Sequence, residues 1–304
     1  MFIEEHLQEL RRERFTIPAL IRYGRRVAAR ARETMVANPA VVRSVWSLAL
    51  LYFLLAFAGT ALLAFHADRQ FALDLFLWTS VGLVPAFGLV TLALDLLRDP
   101  NGYRLSAINV PTALTLLRVA LVPGIVLSLV DRHLPLALAL YVVAGASDVA
   151  DGWIARRTGQ TTLLGTVLDP IVDIVFNLAT LAALAAAELM PGWVFAVGVV
   201  RYGILLVGGA GLYLFVGPVR IRPTWFGRLT GVVMSMLVAL LVLLHVVQGR
   251  YSERLATLTE LALGVLLLAT VGQVLALGWY NLRVMTRAAE APGRVVGDVR
   301  WRSR

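Results

Sequence analysis

Four aspartates stand in two spaced pairs, Asp148 with Asp151 and Asp169 with Asp173, inside the apolar stretch "SDVADGWIARRTGQTTLLGTVLDPIVD". On a helix, residues three or four apart share a face. Asp148 and Asp151 therefore point the same way near the end of one helix, with Ala155 one turn further along. Asp169 and Asp173 share a face of the next helix, with Gly165 one turn earlier. The intervening linker is short, so the pattern predicts antiparallel neighbouring helices whose acids meet in one small volume. Four ionised carboxylates near lipid need a strong compensating charge. Oxygen-only ligation suits Mg²⁺, Mn²⁺ or Ca²⁺ and disfavours zinc or copper. Magnesium is usually held by a few carboxylates together with substrate phosphates. The acids thus point to a phosphate-bearing substrate, with ligands enough for two ions flanking a phosphorus. Gly152, Ala155 and Gly165 lack bulk and let a backbone or ligand approach closely. Arg156 is placed to pair with a phosphate.

The elements that position these residues are membrane helices. The chain has 304 residues, of which 59% are hydrophobic and 15% charged, too apolar for a soluble domain of this length. A spanning helix needs about 20 apolar residues. Eight runs qualify, at roughly 46–66, 71–97, 112–131, 134–156, 162–187, 192–216, 226–247 and 257–282. No barrel-like alternation occurs, so helices must satisfy the backbone in lipid. The expected fold is an all-α, polytopic membrane bundle. Its parts are a basic interfacial segment (1–44), two extra spans (45–100), a six-helix core (101–284) and a basic tail (285–304). Within the first part, "RYGRRVAARARETM" reads as a basic amphipathic helix at the membrane surface, and the segment is too long and charged before its apolar run for a secretory signal.

All 28 basic residues are arginine, and cysteine is absent. P-loop and Schiff-base lysine chemistry are thereby excluded, as are disulfides and thiolate metal sites. The formal net charge of +9 fits arginine-rich loops facing anionic headgroups rather than nucleic acid. Arginine placement puts both termini, and the aspartate hairpin, in the cytoplasm of a multi-pass inner (plasma) membrane protein.

Asp148-x-x-Asp151-Gly152-x-x-Ala155-Arg156, eight residues, then Gly165-x-x-x-Asp169-x-x-x-Asp173 resembles the signature of the CDP-alcohol phosphotransferases at every position and gap. The resemblance covers the six spans from Thr112 onward. It implies transfer of a phosphoalcohol group from a CDP-linked donor to an acceptor hydroxyl, with release of CMP. It implies that Asp148, Asp151 and Asp169 bind metal, two Mg²⁺ or Mn²⁺ ions in all. Asp173 would sit at the second metal and act as general base, while Gly152, Ala155, Arg156 and Gly165 line the nucleotide pocket. It also implies a homodimer. An ion-transport reading of the same acids predicts acids near mid-membrane with a polar path beyond. Here they gather at one helix end, which favours an enzyme.

Three arginines are candidates for gripping an acceptor phosphate: Arg118, Arg201 inside "WVFAVGVVRYGILLV", and Arg228 in "TWFGRLTG". "INVPTALTLLRVALVP" resembles the phosphatidylglycerophosphate synthase branch, which implies CDP-diacylglycerol as donor and glycerol 3-phosphate as acceptor. Two departures leave inositol phosphate or phosphatidylglycerol open as acceptor: Tyr202 stands where that branch often has an acid, and "RIRPTWFGR" replaces its lysine-rich stretch.

Overall fold

A computed structural model of the chain describes Glu13 and residues 15–66, 68–211, 225–247 and 252–290. Among these there are nine α-helices and no strand: α1 (Ile17–Ala37), α2 (Pro39–His66), α3 (Arg69–Leu92), α4 (Val110–Val130), α5 (Leu134–Thr158), α6 (Leu163–Ala186), α7 (Gly192–Gly211), α8 (Trp225–Val247) and α9 (Ser252–Glu290). Helices α2 to α9 are long and apolar enough to cross a membrane, as the hydropathy pattern predicts for a multi-pass protein.

Element ends differ from the sequence expectation where local chemistry overrides hydropathy. Helix α2 begins at Pro39, a residue favoured in the first turn because its missing N–H needs no partner there. The expected boundary after residue 44 therefore falls inside a helix. Helix α9 runs 39 residues, about 58 Å at 1.5 Å per residue, well beyond the ~30 Å hydrocarbon layer. It continues past the expected end because no helix breaker comes before Pro292. The basic segment forms α1, an amphipathic helix with Ala31 and Thr34 buried.

Helix α4 is the hub. It packs along α3, α5 and α6, whereas α5 and α6 make little direct backbone contact with each other. The acid-bearing helices are thus not the packed neighbours that their short linker predicts; each leans on α4. They meet through side chains deeper in the bundle, where Tyr141 and Phe176 stack at 5.5 Å. Gly159 closes α5 at φ +66, a left-handed cap that glycine adopts without the usual Cβ penalty. Thr162 starts α6 by accepting a 3.0 Å bond from Gly165 N.

One buried cluster joins α4 to α9 and includes Ile125, Leu181, Val194, Leu241 and Leu263. A second joins Val45, Tyr52 and Phe87 of the first spans to Leu116 of α4 and Leu164 of α6. The Tyr52 hydroxyl donates to Ala113 O at 2.6 Å, and Ile108 N donates to Ser44 Oγ at 3.0 Å. In lipid such packing and interhelical bonds, rather than water exclusion, hold helices together. The two extra spans therefore brace the helices that carry the polar residues.

An arginine clasp reinforces that brace. Arg98 pairs with Asp95, Arg104 approaches the same oxygen at 2.8 Å and Arg30 of α1 at 3.9 Å. The connector between α3 and α4 (residues 93–109) is tied in turn to the acid hairpin, by Leu163 N donating to Arg98 O at 3.0 Å and Asn109 Nδ2 donating to Gln160 O at 2.7 Å. Burial pushes the Asp95 carboxyl up, but the Arg98 hydrogen bond and the charges of Arg98, Arg30 and Arg104 outweigh it and leave it below its ordinary value. A folded value below the unfolded one means stability that is full above about pH 4. That stability is lost as pH falls through the lowered folded value. Hydrogen exchange of α1 and the connector is expected to quicken on acidification in that window. In Asp95→Asn it should be quick already at neutral pH; protection equal to that of the unaltered protein would disprove the clasp.

Candidate active site

The residues of α4 decide how the acids meet. Thr112, Thr115 and Arg118 recur at three-residue spacing, so they lie along one face. Arg118 is 3% exposed, and its guanidinium is shared by three of the four acids. Its Nη1 lies 2.7 Å from Asp148 Oδ1 and pairs with Asp173 Oδ1, while its Nη2 lies 3.2 Å from Asp151 Oδ2. The fourth acid is held one turn earlier. The Thr115 hydroxyl is 2.9 Å from Asp169 Oδ1 and 3.3 Å from Asp151 Oδ2. Its single proton can serve one of them at a time. The α4 face thus gathers all four aspartates, two from α5 and two from α6.

Asp151 is buried, while the side chains of Asp148 and Asp173 are 52% and 51% exposed. The site is therefore closed on its α4 side and open on the other. Tyr141 and Phe176 stack further along the same two helices, about two turns from Asp148 and one from Asp173.

Arg156 and Arg157 do not balance the acids. Arg157 stacks over Trp153 at 5.0 Å. Arg156 folds back over Gly152, where an added Cβ would meet its guanidinium at 3.1 Å. Gly152 thus lets the Arg156 side chain lie along the helix. At Gly165 an added Cβ would stand 3.3 Å from Thr162 Oγ1 and 3.8 Å from Thr112 Oγ1, so the glycine admits close approach of α4 to the start of α6. Ala155 sits on the same helix, between Gly152 and the hairpin.

Among the described residues, no three acidic or histidine side chains converge on one point in the manner of a formed metal site. What converges is three carboxylates around a cation, the Arg118 guanidinium, with the fourth held beside them by Thr115. The donors are all hard oxygens, no imidazole or thiolate among them, and they already tolerate a positive charge at their centre. In donor chemistry they fit a hard divalent cation.

Of the three arginines expected at an acceptor phosphate, Arg118 lies inside the acid cluster. Arg201 lies on α7 with no carboxylate partner among the described residues: its Nη1 bonds Met234 Sδ at 3.7 Å, its guanidinium covers the Tyr202 ring at 4.6 Å, and its Nε is buried without a partner there. The Arg228 side chain lies outside the described residues. Sequence reasoning missed Thr115, although the three-residue interval to Arg118 in "TALTLLR" carries the signal.

Two curated relatives are proteins named CDP-diacylglycerol--glycerol-3-phosphate 3-phosphatidyltransferase. That of Sodalis glossinidius is 42% identical over 89 residues, 28% of this chain and 48% of its own length. That of Pectobacterium atrosepticum is 43% identical over 88 residues, 28% of this chain and 47% of its own length. A putative cardiolipin synthase of Mycobacterium bovis is 31% identical over 122 residues, 40% of this chain and 58% of its own length. The match thus spans about half the length of these relatives. No solved structure matches the chain. Residues 108–280, the stretch from the cap of α4 into α9 that holds all four aspartates and their arginine, match the CDP-alcohol phosphatidyltransferase family, and the chain belongs to that family.

Proposed function

We propose that the protein is a divalent-metal-dependent transferase that moves a phosphatidyl group from CDP-diacylglycerol to an acceptor hydroxyl and releases CMP. The observation that carries this reading is the gathering of the family's four aspartates on the Thr115–Arg118 face of α4. Glycerol 3-phosphate is the acceptor best supported, since two relatives are named for it. Phosphatidylglycerol is the second reading, favoured by the longer match to a putative cardiolipin synthase. Inositol phosphate completes the acceptor panel.

Asp148, Asp151 and Asp169, with Asp173, would hold two ions. Bound there, the ions supply charge neutralisation for the diphosphate and stabilisation of departing CMP. The chain's own residues do the rest. Asp173, half-exposed on the open side, takes the proton of the acceptor hydroxyl as the new P–O bond forms and the bond to CMP breaks. Arg118 fixes the carboxylates against one another, and Thr115 holds Asp169. Arg156, Gly152, Ala155 and Gly165 form the nucleotide's wall. The diacylglycerol chains lie against the lipid-facing sides of α5 and α6. Both termini and the site face the cytoplasm of the inner membrane, and the enzyme works as a homodimer.

A cation transporter built on the same acids is disfavoured, because the acids gather at one end of their helices instead of near mid-membrane with a polar path beyond. The full-length protein with CDP-diacylglycerol and Mg²⁺ or Mn²⁺ is expected to release CMP on addition of glycerol 3-phosphate. Release with phosphatidylglycerol alone would move the acceptor to the second reading. No CMP with any of the three acceptors would overturn the proposal.

A further inference from the structure

Helix α1 lies outside the stretch that matches the family, and it carries two exposed rows side by side. Its sequence, IPALIRYGRRVAARARETMVA, holds five arginines and one acid. Arg22, Arg25, Arg26 and Arg32 are exposed. Arg30 turns inward, 3.9 Å from Asp95, and the one acid, Glu33, is 3.4 Å from that inner arginine. Arg22 pairs with Glu13. Arg25 and Arg32 stand seven residues apart and share a face. Next to them run Ile21 and Ala28, also seven apart, with Ile17 one turn earlier. Ile17 and Ile21 are 73% and 52% exposed, whereas Ala19, Ala31 and Thr34 are buried. The helix thus has a packed face, an apolar row and an arginine row. Its position follows from the chain. Only Asn38 separates α1 from the spanning helix α2, and Pro39 disfavours helical backbone at Asn38, which sits at φ −135. Helix α1 packs against α3 and the short turn Leu94–Leu96 after it, and Asp95 links it to the connector. The connector bonds to Gln160 and Leu163, so both rows stand at the same end of the bundle as the acid hairpin.

We propose that Ile17, Ile21 and Ala28, with Arg25 and Arg32 beside them, form a docking surface for anionic phospholipids, and that docking steadies the connector through Arg30 and Asp95. The apolar row sinks to the boundary of headgroups and acyl chains. The arginines beside it reach lipid phosphates with their stems along the apolar surface. A nucleic acid or an acidic protein would meet the arginines and leave the isoleucines in water. A neutral bilayer would cover the isoleucines and leave the net charge unanswered. An anionic lipid surface satisfies both rows at once, so it is the occupant. The clasp then carries the effect inward: α1 held on the bilayer holds Arg30, Arg30 holds Asp95, and the connector holds the start of α6. This surface stands apart from the acid cluster and does not depend on the transferase reading.

The test reads hydrogen exchange of the full-length protein in nanodiscs of phosphatidylcholine alone or of equal parts phosphatidylcholine and phosphatidylserine. Each basic residue near an anionic surface is worth about fivefold in a docking equilibrium. Arg25 and Arg32 together therefore set the expected slowing of the α1 amides in the anionic discs at roughly 25-fold. The connector should slow with them, and high salt should reverse both by screening. Arg25→Gln combined with Arg32→Gln should lose most of the slowing and match the unaltered protein in neutral discs, because both side chains are exposed and support no packing. Arg30→Gln should keep the slowing of α1 and lose that of the connector. Equal exchange of α1 in the two kinds of disc, or slowing that survives the double substitution, overturns the docking surface. So does equal slowing by inorganic phosphate in neutral discs, which would make this a free-anion site. A connector that still slows in Arg30→Gln overturns the coupling.

Discussion

Asp173→Asn is expected to reduce CMP release by a factor on the order of 10³ or more, while nucleotide binding is largely retained. Removing a positioned general base typically loses 10²–10⁴ in rate. The amide also loses the negative charge that a hard cation needs, which pushes the effect towards the upper end. The side chain is half-exposed and pairs with Arg118 at the rim of the cluster. The substitution therefore removes one of three carboxylates on that guanidinium and leaves Asp148 and Asp151 in place. The fold should stand, and a melting midpoint near the original would show it. Single-turnover CMP release and equilibrium binding of CDP, measured on the same preparation, separate chemistry from binding. Turnover equal to that of the unaltered enzyme would remove Asp173 as the base.

The second large effect is on stability. Arg118→Gln leaves Asp148, Asp151 and Asp173 without the cation they share in a buried setting. Breaking a buried ion pair by removing one partner destabilises by about 3–5 kcal/mol. Because Asp148 and Asp173 are half-exposed and keep part of their hydration, the lower end, about 3 kcal/mol, is expected. The thermal midpoint in detergent reads this directly. Mg²⁺ or Mn²⁺ is expected to raise the midpoint of Arg118→Gln more than that of the unaltered protein, since a divalent ion can supply the lost positive charge to the same carboxylates. A variant with the original midpoint and the original metal response would show that Arg118 does not organise the acids.

Helices and chemistry were legible in the sequence for one shared reason. Eight apolar runs must be helices, because lipid offers no other partner for the backbone. Four acids placed at helical spacing in those runs need a cation, because lipid tolerates them in no other way. The spacing also carried the family, since Asp148 to Asp173 hold every motif position. The helix ends were less legible. Pro39 and the unbroken stretch before Pro292 set them through backbone geometry, on which hydropathy is silent.

What the sequence alone determined is the set of groups: four carboxylates at helical spacing, arginine in place of every lysine, and a membrane bundle to carry them. The tertiary structure alone decided which arginine serves which site. Arg118 and Arg201 look alike on paper, each a lone charge in an apolar helix. Helix α4 lies between α5 and α6, so Arg118 meets three carboxylates, whereas Arg201 on α7 meets, among the described residues, a sulfur and a ring. The reason is that periodicity fixes which residues share a face of one helix. Which face meets which neighbour is settled by packing among all the helices, and no local spacing encodes it.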